Sequence, residues 1–358
     1  MTDLETTCGE LKSKCKPIMS WTLMAQNREI CIITSKGNVK FLDIKLLPKD
    51  LYLEQDDNDF DIMFNNRINF EAWCANRILC LDRKYAKEIL NAINVKQAKN
   101  DSDRARIALL FKCLSIKDFY WVRTDAGDTW ESINLFKNSV GEIVDIALRG
   151  KALTLNATSF ADKDIATDGV APKAWVRDGN NLYMLKGGTE DVIYNEVEAS
   201  RVLRRLGFDV LEYELAKLKD GVVSKCECFT DENTGFVTAG DYNMNYDLNV
   251  EVTAKYLKEY YTMVLCDYLI GNSDRHQDNW GLMFDKDCKL TGLTPIFDFD
   301  HAFKAPLEYN SLSHQLLTGE RVSMLDVAKK AVKYLSIDIN KMLEMCDNDY
   351  VHKRLLLL

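Results

Sequence analysis

A polar island between apolar runs constrains this chain more than any other feature. Residues 271 to 279, GNSDRHQDN, separate MVLCDYLI from WGLMF, and after one short hairpin LTPIF runs into DFDHAF. Runs of that kind are buried, so the ionisable groups between them stand at the ends of buried elements, where a charge needs a partner or a metal. Asp274 and Asn279 lie five positions apart, and Asp298 follows the hairpin. An acid that can accept a hydroxyl proton, beside amide and carboxylate oxygens of the kind Mg2+ takes, is the set of groups phosphoryl transfer requires. Singly, Asp274 also fits the start of a turn and Asp298 a solvated strand end; the combination points to a phosphate-handling site.

Such a site needs positive charge upstream. LYMLKGG, 182 to 188, reads as an apolar strand ending in Lys186, whose ammonium would act on phosphates as a point charge. Ten residues later Glu196 opens NEVEASRVLRRLG, where Val197, Val202, Leu203 and Leu206 recur at helical spacing and Gly207 is a stop signal. The plain alternative is an ordinary strand and helix with a surface ion pair worth about 0–1 kcal/mol.

Asp-Arg-His, two residues, Asn, a hairpin and then an Asp after the apolar pair Ile296-Phe297 resembles the HipA-like serine/threonine kinases, whose loop is shared with the phosphoinositide kinases. The resemblance covers about residues 150 to 310. It implies an α+β, two-lobed kinase-like fold, with a β-rich nucleotide lobe and a helical C-lobe behind a mixed α/β N-terminal extension. It implies ATP and Mg2+ as cofactors, Asp274 as the catalytic acid, Asn279 and Asp298 as metal ligands, and a Lys186 to Glu196 pair that positions phosphates. TDGVAPKAWV, 167 to 176, is similar to the family's phosphate loop: Gly169 and Val170 would bring backbone amides to the phosphates and Lys173 would add charge. The family's autophosphorylated serine falls here on Ala166, with Thr167 beside it. VVSKCECFTD, 222 to 231, looks like the strand-to-hinge segment, with Glu227 and Phe229 in the acidic and aromatic places beside adenine. His276 is counted on the nucleotide side as a hydrogen-bonded anchor of the loop rather than a general base. Arg275 has three candidate partners: Asp298, Asp278 or a phosphate. A metal trio of Asp298, Asp300 and His301 is disfavoured, because on a strand His301 would face away from the two acids; zinc is not expected.

At 358 residues and 47% hydrophobic content the chain is long enough for two domains or one large one. The expected divisions are 1–149, a mixed region without an assigned role; 150–250, the nucleotide lobe; and 251–358, the helical lobe. In the first, SWTLMA, REICIIT and VKFLDIKLL read as strands with a turn at Ser35 to Asn38, EQDDNDFD as an exposed loop, and FEAWCANRIL, DRKYAKEILNAI and SDRARIALLFKCLS as helices, the last capped by Ser102. The aromatic cluster Phe119, Tyr120, Trp121 and Trp130 reads as core rather than a ligand platform. VEVTAKYLKEYYTMVLCDYLIGN reads as one long buried helix ending at Gly271. Eleven cysteines without a CxxC pair fit buried thiols in a reducing compartment. A polar N-terminus and the lack of an apolar run near 20 residues predict a cytoplasmic protein without signal peptide or membrane span, and a net charge of −9 argues against direct nucleic-acid binding. The partners expected are a protein substrate bearing a Ser/Thr hydroxyl and an antitoxin-like protein. The rival readings are a lipid or small-molecule kinase, and a non-catalytic toxin-antitoxin module.

Overall fold

In the computed structural model the described residues are 19–56, 58–77, 100–110, 112–138, 173–179, 181–218, 221–306, 314–315, 317 and 321–358. Gly169, Val170, Thr167 and Ala166 lie outside them, as does the helix expected over 82–93.

Short β-branched and aromatic runs open the chain as strands β1 (Ser20–Ala25), β2 (Arg28–Thr34) and β3 (Val39–Phe41), which with β4 (Tyr120–Arg123) form an antiparallel sheet in the order β3-β2-β1-β4. The turn at Ser35 to Asn38 is present. It needs glycine: Gly37 has φ +92, and a Cβ there would sit 1.8 Å from the Met63 carbonyl oxygen. VKFLDIKLL stays extended only to Phe41, because the Asp43 carboxylate accepts from the Lys45 amide and caps a 3-10 turn, Ile44–Leu46. Helix α1 (Phe60–Ala75) starts ten residues before FEAWCANRIL. Apolar residues all round FDIMFNNRINF hide its period, and Asp59 sets the start by accepting from the Asp61 and Ile62 amides. Helix α2 (Asp101–Leu110) is capped by Asn100, whose side chain accepts from the Asp103 amide at 2.9 Å; Ser102 lies inside the helix and donates to Glu71. Phe119, Tyr120, Trp121 and Trp130 are all buried, so that cluster is core.

The second sheet holds β5 (Lys173–Asp178), β6 (Asn181–Lys186), β7 (Tyr213–Leu218) and β8 (Gly221–Glu227) in the order β5-β6-β8-β7. Helix α3 (Glu190–Arg205) packs on β7 and β8 through Ile193, Glu196, Ala199, Ser200, Val202 and Leu203. It begins five residues before the expected segment and stops before Gly207, whose φ is +90. A third sheet, β9 (Thr234–Thr238), β10 (Gly281–Asp285) and β11 (Leu290–Leu293), runs in the order β11-β10-β9, so the strand that follows the island is paired on both edges.

After α4 (Ala239–Asn245) the long helix is interrupted. A helical turn at Leu248–Glu251 passes into a π-helical turn, Val252–Tyr256, before α5 (Leu257–Ile270). Buried Leu248, Val252, Tyr256 and Tyr260 repeat every fourth residue, wider than the 3.6 of an α-helix, and the wider turn keeps them on one face. Helices α6 (Met324–Leu335) and α8 (Asp349–Leu355) pack on α5, with α7 (Ile339–Met345) against α8. The architecture is mixed α+β, with antiparallel sheets and a helical C-terminal part, as expected. Among the described residues no helix is long and apolar enough to cross a membrane. Eight described cysteines are free thiols, six of them buried.

Candidate active site

The island opens on Gly271, which ends α5 in the left-handed conformation (φ +64). Its organiser is a residue hidden inside the apolar run MVLCDYLI: Asp267, fully buried on α5. Arg275 donates through Nε and a terminal nitrogen to the two Asp267 oxygens at 2.9 and 2.8 Å, and Asn272 Nδ2 donates to Asp267 Oδ1 at 3.0 Å. Asp267, which lies on α5 before the island, is therefore the partner of Arg275, rather than the Asp298, Asp278 or phosphate expected. The guanidinium has a second task. Its other terminal nitrogen donates to the carbonyls of Asn279 at 2.6 Å and Phe297 at 2.5 Å, which holds the backbones of the two expected metal-binding positions around one nitrogen.

Within the island, the Asp274 amide donates to Asn272 Oδ1 at 3.2 Å, and the Asp274 carbonyl accepts from the His276 amide at 2.9 Å and Asn279 Nδ2 at 3.1 Å. These bonds fix the backbone of Asp274 and leave its carboxylate half-exposed. Asn279 is buried and turns its amide nitrogen to the loop, so its Oδ1 accepts no hydrogen bond among the described residues. His276, half-exposed, accepts at Nδ1 from the Asp278 amide at 3.2 Å.

Lys186 ends β6 beneath α3. Its ammonium lies 3.0 Å from Glu196 Oε1 and 3.2 Å from Asp300, and also bonds Asp298. Both Lys186 and Glu196 are almost wholly buried, so this is not the surface ion pair of the plain alternative. Burial alone would push the lysine down; Glu196, Asp298 and Asp300 outweigh it and hold the ammonium well above its usual range. Burial also pushes Asp298 up, but Lys186, with Lys173 behind it, holds that carboxyl well below the ordinary carboxylate range. Glu196 goes the other way. It is the more deeply buried acid, and burial raises it against the pull of Lys186 while the Ser224 hydroxyl donates to its second oxygen at 2.5 Å. Lys173 stands directly across from Lys186 in the β5–β6 register.

Asp298 sits in the left-handed region (φ +65), which costs about 1–3 kcal/mol and persists only where the surroundings impose it. Here the Asp298 amide donates to the Tyr213 hydroxyl at 3.2 Å, Asn272 Nδ2 reaches the Asp298 carbonyl at 3.4 Å, and Ile296 pairs with Val210. The strand alternation used against a metal trio therefore does not apply: the chain is not extended past Ile296, and Asp300 and His301 stand in a turn with one ligand atom each within 4.8 Å of one from Asp274. Glu227 is exposed at the end of β8. Phe229 packs 5.4 Å from Phe297 and 5.1 Å from Phe236, which puts an aromatic wall beside the segment that carries Asp298.

Sequence reasoning missed Asp267, Asn272 and Ser224, and weighed Asp300 only in a metal trio that it set aside. A charge inside an apolar run was the available signal for Asp267; nothing local marked Ser224.

A buried lysine clamped by acids, below a fixed polar loop between antiparallel sheets and helices, defines a kinase-like fold. No family model matches the sequence. The chain is 28% identical to the serine/threonine-protein kinase CtkA of Helicobacter pylori over 149 residues, 33% of this chain, and the match spans about half, 46%, of that relative's length. The crystal structure of the Helicobacter pylori proinflammatory kinase CtkA superposes with a TM-score of 0.41 and 21% identity over 51% of this chain and 88% of that one. The HipA of a Shewanella oneidensis toxin-antitoxin complex with HipB and operator DNA matches with a TM-score of 0.50 and 10% identity over 94% of this chain and 91% of that one, so the fold is shared over nearly the whole chain. The chain is thus similar in sequence to a serine/threonine-protein kinase over part of its length and in fold to HipA over nearly all of it.

Proposed function

We propose that the protein is an ATP- and Mg2+-dependent kinase that transfers a phosphoryl group to a serine or threonine hydroxyl of a protein. The observation that carries this reading is the buried Lys186 shared by Glu196, Asp298 and Asp300, next to a loop whose backbone is fixed while the Asp274 carboxylate stays open. Three carboxylates around one ammonium leave an excess of negative charge, and Asn279 Oδ1 accepts no hydrogen bond among the described residues, so hard oxygen donors suited to Mg2+ are present. Asn279 and Asp298 would hold that ion, which when bound neutralises charge developing on the phosphate oxygens.

The chain's own residues do the rest. Glu196 holds Lys186 at the end of β6, where the ammonium meets phosphate oxygens once Asp298 is engaged elsewhere. Lys173 adds charge from the neighbouring strand, and Gly169 and Val170, outside the described residues, would supply backbone amides to the phosphates. Phe229 walls the adenine pocket beside the hinge at Glu227. Asp274 accepts the substrate hydroxyl proton, with His276 and Asn272 fixing the peptide that bears it. Autophosphorylation at Thr167 or nearby Ser159 would place a double negative charge beside the ATP phosphates and oppose their binding. An antitoxin-like protein partner is part of the proposal, because the HipA of like fold is found with HipB.

The test is phosphotransfer from ATP to protein, lipid and sugar panels, with Asp274→Asn as control. The variant should keep nucleotide affinity within a few-fold and lose about 10²-fold or more in transfer. Loss of neither would end the kinase reading. Loss of both together would give Asp274 a structural or metal-binding role.

A further inference from the structure

The turn after Asp298 brings together groups that a strand would have kept apart. It is pinned at both ends: Phe299 is fully buried, the Ala302 amide donates to the Phe299 carbonyl at 2.9 Å, and the Phe303 amide donates to the Ile270 carbonyl at 2.7 Å, just before the island. Phe303 takes φ +62 to do so. Asp300 and His301 are thereby presented to Asp274, with a donor atom from each of the three within 4.8 Å of the others. His301 Nε2 faces Asp274 Oδ2 at 3.8 Å, which is too long for a hydrogen bond. Two donors each about 2.0–2.2 Å from one ion lie at most about 4.4 Å apart, so that gap already fits a shared metal. The half-exposed Asp274 and His301 side chains can close the remainder by rotation, while Asp300, 22% exposed, turns from Lys186.

We propose that Asp274, Asp300 and His301 bind a divalent transition metal such as Zn2+, at a site separate from the Asn279 and Asp298 ligands, and that its occupation withdraws Asp274 from proton transfer. The donor set makes the choice of metal. An imidazole nitrogen with two carboxylates suits Zn2+ or Co2+, while Mg2+ takes oxygen ligands, and water would complete the open positions. An Asp274 oxygen committed to the metal cannot accept the substrate hydroxyl proton, and Asp300 is drawn from Lys186. The metal site stands on geometry alone; only its inhibitory consequence rests on the kinase reading.

The experiment uses the full chain without nucleotide, in a reductant that does not bind metal. Calorimetric titration with Zn2+ is expected to show a site in the wild type that His301→Ala and Asp300→Asn each weaken by about tenfold or more, with melting curves confirming that the variants fold. Zn2+-soaked wild-type crystals should give an anomalous peak between the three side chains. Equal Zn2+ binding by wild type and His301→Ala, or a peak only at cysteine thiols, overturns the site. With excess Mg2+ present, Zn2+ should inhibit phosphotransfer by the wild type more than by His301→Ala. Equal inhibition of the two overturns the withdrawal of Asp274. A wild type that binds Zn2+ through His301 but transfers no phosphate even without Zn2+ supports the metal site and removes the kinase reading instead.

Discussion

Lys186 has more partners than it needs, and that surplus separates ligand loss from unfolding. In Asp298→Asn the ammonium keeps Glu196 at 3.0 Å and Asp300 at 3.2 Å, so the fold should survive while Mg2+-dependent ATP binding is lost. Calorimetric titration of ATP with and without Mg2+ measures this, and an unchanged Mg2+ dependence would exclude Asp298 as a ligand. The same carboxyl has a pH signature. Its folded pKa is depressed, so its stabilisation is present above the unfolded value of about 3.9 and is lost as pH falls below it. The difference in urea midpoint between wild type and Asp298→Asn should be flat from about pH 5 to 8 and narrow below about pH 4. Arg275 has no such surplus. Its pair with Asp267 is buried on both sides, so Arg275→Ala strands a buried carboxylate and should cost about 3–5 kcal/mol in urea unfolding. A cost below about 1 kcal/mol would mean that the pair does not organise the island. Asp274, Asn279 and Asp298 were proposed from spacing, because phosphoryl transfer demands particular residue types at short range. The partner of Arg275 could not be read from spacing, because several nearby acids, Asp278 and Asp298 among them, offer the same charge and only packing chooses among them.

At the scale of elements, the joint between α5 and the island turns on Gly271. A Cβ there would lie 2.0 Å from the Tyr350 hydroxyl, which is held by a 2.5 Å bond to the Ala305 carbonyl. Gly271→Ala should cost at least the roughly 1–2 kcal/mol of a left-handed alanine, and adding Tyr350→Phe should recover part of it by removing the clashing oxygen. Chemical unfolding of the single and double variants decides; equal stability of the two would assign the whole cost to the backbone. Element existence was largely legible, since strands such as REICIIT and the stop at Gly207 are written in local residue types. Starts were not. Helices α1 and α3 each begin before the expected segment: capping by Asp59 sets the first turn of α1, α3 starts after Thr189 without a side-chain cap, and in both the apolar period becomes visible only later.

Across the whole molecule, the region before residue 139 is tied to the kinase-like part by backbone and ring contacts. The Phe236 amide donates to the Lys117 carbonyl at 2.9 Å, Thr230 Oγ1 donates to the Ile116 carbonyl at 2.5 Å, and Phe119 meets Phe284 edge-on at 5.6 Å. Arg77 clamps the same segment through two bonds to buried Asp118 and one to the Tyr120 carbonyl. With one continuous apolar core across these parts, β4 and β10 should lose amide protection at the same denaturant concentration. Separate midpoints in native-state hydrogen exchange would show that they unfold independently. Asp118→Asn, which leaves a buried guanidinium without its counter-charge, should shift both together.

The residue order alone pointed to the pairing of Lys186 with Glu196 and the burial of the aromatic cluster, which rest on hydrophobic period or the chemistry of one side chain, and through the resemblance of its loop to the α+β class; it offered Asp274, Asn279 and Asp298 as a proposed phosphate-handling set. Tertiary structure alone decided that Arg275 belongs to Asp267, that Asp300 joins Lys186, and that His301 faces Asp274. The last two contacts depend on the left-handed turns at Asp298 and Phe303 and on the packing of Phe299. Backbone conformations of that kind are imposed by distant neighbours such as Tyr213, Asn272 and Ile270, and no short stretch of sequence encodes them.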